Sequence, residues 1–186
     1  MRAWAIAEAT SQKAALGKAV AEGRCPPEMR EKLLSGRYAA LTETEWQALE
    51  RVILQSRGPL LQGFINLHPQ WYEGHVPIEV LRQMRFFDLP DWTAKAPSRN
   101  LGDLCGERHL PGREPEFRGF FTGIERPIAV GPSLQGLFCL VEGYTRCGAI
   151  LRDHRAGLSQ VERVPIIVGI TPRIAEWSDG QGHRWW

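Results

Sequence analysis

Long apolar runs are missing from this chain, and so is any marked excess of charge. Its most apolar opening stretch, Met1-Arg-Ala-Trp-Ala-Ile-Ala7, is broken by Glu8, Ser11, Gln12 and Lys13. That is too short for a membrane span or a signal core and reads as the first turns of a helix. Lys and Arg number 23 against 21 Asp and Glu, a net charge of +2, whereas binding along duplex DNA normally calls for a concentrated basic face. Cysteine is sparse: Cys25, Cys105, Cys139 and Cys147 contain no Cys-x-x-Cys pair, and a reducing, cytoplasmic setting fits them best. Cys105 and His109 stand four apart, but two ligands do not make a structural zinc site. His68, His75, His154 and His183 have no metal-ligand spacing. No internal repeat or low-complexity tract is present.

What is present is a strand that runs through a glycine into a helix. Phe138-Cys-Leu-Val-Glu-Gly-Tyr-Thr-Arg-Cys-Gly-Ala-Ile-Leu151 begins as an apolar strand, turns at Gly143 and continues as a helix opening with Thr145 and Arg146. The first turn of a helix carries N–H groups without intrahelical partners and the positive end of the dipole, which together favour an anion. Gly143 permits a sharp turn and a close backbone approach. Thr145 offers a hydroxyl, and Arg146 a planar fork that grips two phosphate oxygens. Glu142 stands where a carboxylate would hold a metal, orient a hydroxyl or accept its proton. The same spacing also serves purely structural turns in many α/β units, so the flanking elements matter.

Upstream lies a short apolar strand, Arg126-Pro-Ile-Ala-Val-Gly131, and downstream another, Arg163-Val-Pro-Ile-Ile-Val-Gly-Ile170, after a helix that stops at Gly157. With Phe64-Ile-Asn-Leu-His-Pro-Gln70 as an opening strand and Pro-containing turn, and Val76-Pro-Ile-Glu-Val-Leu-Arg-Gln-Met84 as a first helix, the order over about residues 61–172 resembles the ParB N-terminal and sulfiredoxin-like superfamily. The resemblance implies an α+β fold, a small mixed sheet packed with helices, with strands near 62–67, 127–130, 137–142 and 164–170. It also implies that Gly143, Tyr144, Thr145 and Arg146 form a phosphate-binding turn.

Departures narrow the branch. Sulfiredoxins carry a reactive cysteine two places before the arginine, where this chain has Tyr144, so thiolate chemistry is not expected. Cys147 reads as a small residue facing the core. Partition proteins of the ParB type have Gly-Glu-Arg-Arg at this turn and a helix-turn-helix behind it; only Thr171 to Trp186 follow the closing strand here. The turn is most similar to that of the free-serine kinase type, acidic-Gly-x-Thr-Arg. That similarity implies a nucleotide such as ATP or ADP, Mg²⁺ and a small hydroxyl-bearing acceptor. It also gives Glu73, in His68-Pro-Gln-Trp-Tyr-Glu-Gly-His75, a place comparable to the family's catalytic glutamate. As an exposed turn carboxylate Glu73 would need no such role. The competing expectation is a nucleic-acid-associated ParB-like nuclease or nucleotide-gated DNA-binding domain, in which the same turn holds a backbone phosphate.

Around this core the sequence predicts a helical extension over residues 1–57 and the main domain over 58–186, with an insertion at 88–125. Trp4, Ala7, Ala14, Ala15, Leu16 and Val20 suggest one helix ending near Gly23, and Pro26-Pro27 starts another through Leu34. Thr42 and Glu45 form a capping box for a third, whose apolar face is Trp46, Leu49, Val52 and Ile53; Gly58-Pro59 is expected to end it. The insertion is long, rich in Gly and Pro, and holds Trp92, Phe117, Phe120 and Phe121. Five arginines balance five acidic residues from Arg99 to Arg126, so it is not a basic arm. It reads either as a cover over the phosphate turn, with Arg99, Arg108, Arg113 or Arg118 as second anion contacts, or as a structural insertion. His183-Arg-Trp-Trp186 is expected to dock on the domain or a partner.

Overall fold

The computed structural model describes residue 5 and residues 15–87, 90–106 and 126–177. It is an α+β structure with a four-stranded mixed sheet in the order β1-β4-β2-β3. Helices α1 (Ala15–Ala21), α2 (Pro27–Leu34) and α3 (Glu43–Leu67) precede β1 (Gln70–Pro77). Short helices α4 (Ile78–Gln83), α5 (Pro90–Lys95) and α6 (Leu101–Gly106) lead towards β2 (Ile128–Gly131) and β3 (Cys139–Glu142). Helix α7 (Tyr144–Arg155) then connects β3 to β4 (Arg163–Ile170). β4 lies between β1, antiparallel to it, and β2, parallel to it, while β2 and β3 are antiparallel.

Because strand side chains alternate between faces, the sheet separates two cores. Ile128, Val130, Cys139 and Val141 pack with Leu16, Leu33, Leu49, Ile53 and Phe64 of the N-terminal helices. Ala129, Leu140, Val164, Ile166 and Val168 pack on the opposite face with Leu81, Leu101, Leu104, Cys147 and Leu151. The N-terminal helices are thus one of the sheet's two covers.

The first strand lies later than predicted. Residues 62–67 are helical, and the strand is Gln70–Pro77. Gly58-Pro59 does not end α3, which runs from Glu43 to Leu67 across the boundary expected at 57/58. An interior proline costs a helix about 3 kcal/mol. Here the buried stripe continues past it at helical spacing, through Leu49, Ile53, the partly buried Leu60, Phe64 and Leu67. Burial of side chains of this size stabilises by about 1.5–3 kcal/mol each, enough to carry the helix through. His68, at φ +48, turns the chain out of the helix.

The start of α3 matches its capping box: the Thr42 N–H donates to Glu45 Oε2 at 2.7 Å, and the Glu45 N–H donates to Thr42 Oγ1 at 3.2 Å. Lys32 joins Glu45 at 2.7 Å, tying α2 to the same point. At the other end Trp177 stacks on Phe64 with centroids 5.7 Å apart, meets Phe87 edge-on at 5.5 Å, and donates to the Leu60 carbonyl at 3.3 Å. Trp4, Phe117, Phe120, Phe121, Trp185 and Trp186 lie outside the described residues.

Gly63 tests this packing. Its place inside α3 means that alanine should add about 1 kcal/mol on helix propensity alone, but a Cβ there would overlap the Trp177 indole. Overpacking costs about 1–3 kcal/mol, so Gly63→Ala is expected to lower the melting temperature followed by circular dichroism. A raised melting temperature would show that the Trp177 segment does not seat on α3.

Candidate functional site

β3 ends at Glu142, Gly143 turns the chain in the left-handed region at φ +96, and α7 begins at Tyr144. Only glycine adopts that conformation without strain. The turn is also tight: a Cβ on Gly143 would lie 3.1 Å from Pro127 and 3.5 Å from Arg146 Nη2. The Gly143 carbonyl accepts the Cys147 N–H at 2.9 Å, the first bond of the helix. Gly143 has no side chain with which to cap the helix, and the N–H groups of Tyr144, Thr145 and Arg146 form its first turn.

Arg146 is buried, 5% exposed, with Nε and Nη2 enclosed by the protein. Its guanidinium lies against Gly143, inside the turn. Glu142, half-buried, folds back so that Oε1 accepts the Gly143 N–H at 3.0 Å. A negative group therefore already stands at the start of α7, as the dipole favours. A bulge shapes this corner: Ile128 pairs with Glu142 and Ala129 with Leu140, leaving Val141 as the extra residue.

Tyr144 faces elsewhere. Its hydroxyl donates to the Leu140 carbonyl and accepts the Phe87 N–H at 3.2 Å, while its ring meets Trp92 edge-on at 4.8 Å. The side chain latches the segment after α4 to the edge of β3, leaving its backbone N–H as its contribution to the turn. Arg85 completes the same edge: its N–H donates to the Phe138 carbonyl at 2.8 Å, and its carbonyl accepts the Leu140 N–H at 2.8 Å. The Thr145 backbone is helical; its side chain is outside the description.

Glu73 lies on β1, where it forms an exposed ion pair with Arg126. The register puts it in one cross-strand row with Ile167, Ile128 and Glu142. Three strand spacings separate the backbones of the two glutamates, roughly 14 Å, so they do not converge on one atom. Sequence pattern alone gives Arg126 and Pro127 no part in the turn. Pro127 is its steric wall, and the Pro-Ile-x-Val strand was the only sign of it in the sequence. Of the suggested second anion contacts, Arg99 donates from Nη2 to the Phe86 carbonyl at 3.0 Å; Arg108, Arg113 and Arg118 lie outside the described residues.

Cys147 is fully buried on the α7 side of the sheet. Burial raises the thiols of Cys25 and Cys139, only partly offset at Cys139 by Arg99 and Arg85. Among the described residues, no group of three or more His, Cys, Asp or Glu is placed to hold a metal, and no helix is long and apolar enough to cross a membrane. Comparison of the chain with protein-family models, curated proteins and solved structures gives no match.

Burial pushes the Tyr144 phenol well above its ordinary range, reinforced by nearby Cys139, Glu142 and Cys147 and opposed by its bond from Phe87. A group with a raised folded pKa contributes stability below its unfolded pKa and loses it as the pH rises above that value. For tyrosine the loss starts near pH 10, and the raised thiols add to it from about pH 8.5. Tyr144→Phe is expected to lower stability at pH 7 by about 1–3 kcal/mol through the lost hydroxyl bonds, and to flatten the decline above pH 10 in denaturant titrations. An unchanged alkaline slope would show that Tyr144 ionises freely in the folded protein.

Proposed function

We propose that the protein is a nucleotide-binding phosphotransferase of ParB/sulfiredoxin-like type. In this reading it moves a phosphoryl group from ATP, or from ADP, to a small hydroxyl-bearing acceptor. The observation that carries the proposal is the corner at Gly143, where a buried arginine lies against a left-handed glycine on the opening turn of a helix of 12 residues. The N–H groups of that turn and the Arg146 fork together suit a phosphate. Burial gives the guanidinium a fixed aim and weak solvent screening.

Glu142 is the nearer carboxylate and takes the role of base or metal ligand. On phosphate binding its Oε1 would yield the Gly143 N–H and become available to the acceptor hydroxyl. Glu73, at the other end of the row and paired with Arg126, is the weaker candidate and would act only on a group reaching along the sheet. Mg²⁺ commonly binds through phosphates with one or two protein carboxylates, which fits a corner offering Glu142. When bound it would neutralise phosphate charge.

Arg146→Ala is expected to weaken binding of Mg·ATP or ADP by roughly tenfold or more, since charge-assisted bonds contribute about 1.5–3 kcal/mol each. Arg146→Lys should recover part of the loss, because a point charge lacks the two-pronged grip. Glu142→Gln should keep affinity within a few-fold while stopping transfer of labelled phosphate to small alcohols. Titration calorimetry on variants that keep the wild-type circular dichroism decides the matter: unchanged affinity in folded Arg146→Ala would rule out the phosphate site.

A further inference from the structure

The two edges of the sheet differ. At the β3 edge, Arg85 and the Tyr144 hydroxyl occupy outward backbone groups of Phe138 and Leu140. β1 is the terminal strand at the other edge of the sheet formed by the described residues. All of its residues except Val76 are exposed, including Trp71 at 44% and Tyr72 at 41%. A long edge strand of this kind is a template for another strand.

The outward groups follow from the ladder. The Ile78 N–H donates to the Glu162 carbonyl at 2.9 Å, continuing the β1–β4 register. Alternation then directs the backbone groups of residues 70, 72, 74 and 76 towards β4, and those of Trp71, Glu73 and His75 away from it. We infer that β1 pairs, antiparallel, with β1 of a second copy of this chain across a two-fold axis at Gly74.

In that register Glu73 and His75 of one copy face His75 and Glu73 of the other as hydrogen-bonded pairs, so that each Glu73 carboxylate, which also meets Arg126 of its own chain, can accept a hydrogen bond from the facing imidazole N–H. Tyr72 faces Val76 and Trp71 faces Pro77, combinations that suit cross-strand packing. Pro77 lacks an N–H, but its carbonyl serves as the acceptor its position requires. Gly74 faces its own copy in the closely spaced, non-hydrogen-bonded position, where a Cβ would meet nothing within 4 Å of the same chain. The His75 carbonyl accepts Arg163 Nη2 at 3.0 Å in an exposed bond, which a second lone pair or exchange with a partner N–H accommodates. This self-complementarity singles out a second copy as the occupant.

The full-length chain should be dimeric in sedimentation velocity at concentrations on the order of 100 µM, a range that captures weak association. Gly74→Cys should cross-link to itself under mild oxidation, because a separation near 4.5 Å suits a disulfide. Tyr72→Cys should not, since this register holds the two copies of residue 72 roughly 13 Å apart along the strand. His75→Glu sets like charges opposite each other twice and should weaken the dimer by roughly tenfold; adding Glu73→Lys should restore it. A monomeric wild type, a dimer whose Gly74→Cys variant does not cross-link, or equal cross-linking at residue 72 would overturn the inference. None of these readouts depends on nucleotide binding.

Discussion

The parallel pairing of β2 with β4 is the constraint from which the rest of the architecture follows. A parallel pair needs a crossover of a dozen residues or more, and β3 with α7 provides it. The Pro127 carbonyl accepts the Ile167 N–H at 2.9 Å, which fixes the start of β2 beside β4. β3 returns antiparallel to β2 and ends next to Pro127, so its exit must turn within one residue against a proline ring. Gly143 meets that demand, and α7 is set running back over one face of the sheet. With β4 flanked by β2 on one side, its other side is left for β1, which is the edge strand among the described residues. The corner and the exposed strand are consequences of one pairing.

Both faces of a sheet built this way need covering, which explains why the N-terminal helices share a core with β2 and β3. Leu16, Leu33, Leu49 and Phe64 bury the face opposite α7. Removing them would expose Ile128, Val130, Cys139 and Val141 to water, so the helices α1 to α3 are not energetically separable from the sheet. Trp177 closes the same layer from the other end of the chain, stacking on Phe64.

Legibility in the sequence followed the strength of local signals. β2, β3, β4 and α7 are short apolar runs or a periodic helix bounded by glycine or proline, and their positions agree with expectation to within a residue or two. β1 carries little of that signal, because Val76 alone is buried along it, which leaves no alternation for burial to impose. Phe64 and Leu67 suggested a strand to a local eye, yet their spacing continues the stripe begun at Leu49, and packing overrode Gly58-Pro59. The Gly143 turn was visible because glycine, strand and helix adjoin in sequence. The latch of Tyr144 onto Phe87 spans 57 residues and the Arg126–Glu73 pair spans 53, separations that no local pattern reports.

The corner also limits how a phosphate would gain affinity there. Glu142 already places a carboxylate oxygen on the Gly143 N–H, so an entering phosphate would exchange one anion for another at that donor instead of filling an empty position. The net gain from that exchange is small, because the same backbone bond is lost and remade. Arg146 is different in kind: its guanidinium is positive and lies against the turn, and under the proposed function a dianionic phosphate would interact with it more strongly than a single carboxylate does. Selectivity for phosphate over the protein's own carboxylate would then come from Arg146, while displacement of Glu142 would free a base only when the ligand is in place. Under the proposed function, binding and deprotonation would be linked through one hydrogen bond, and the adjacency of Glu142 and Gly143 would then have a chemical reason beyond turning the chain.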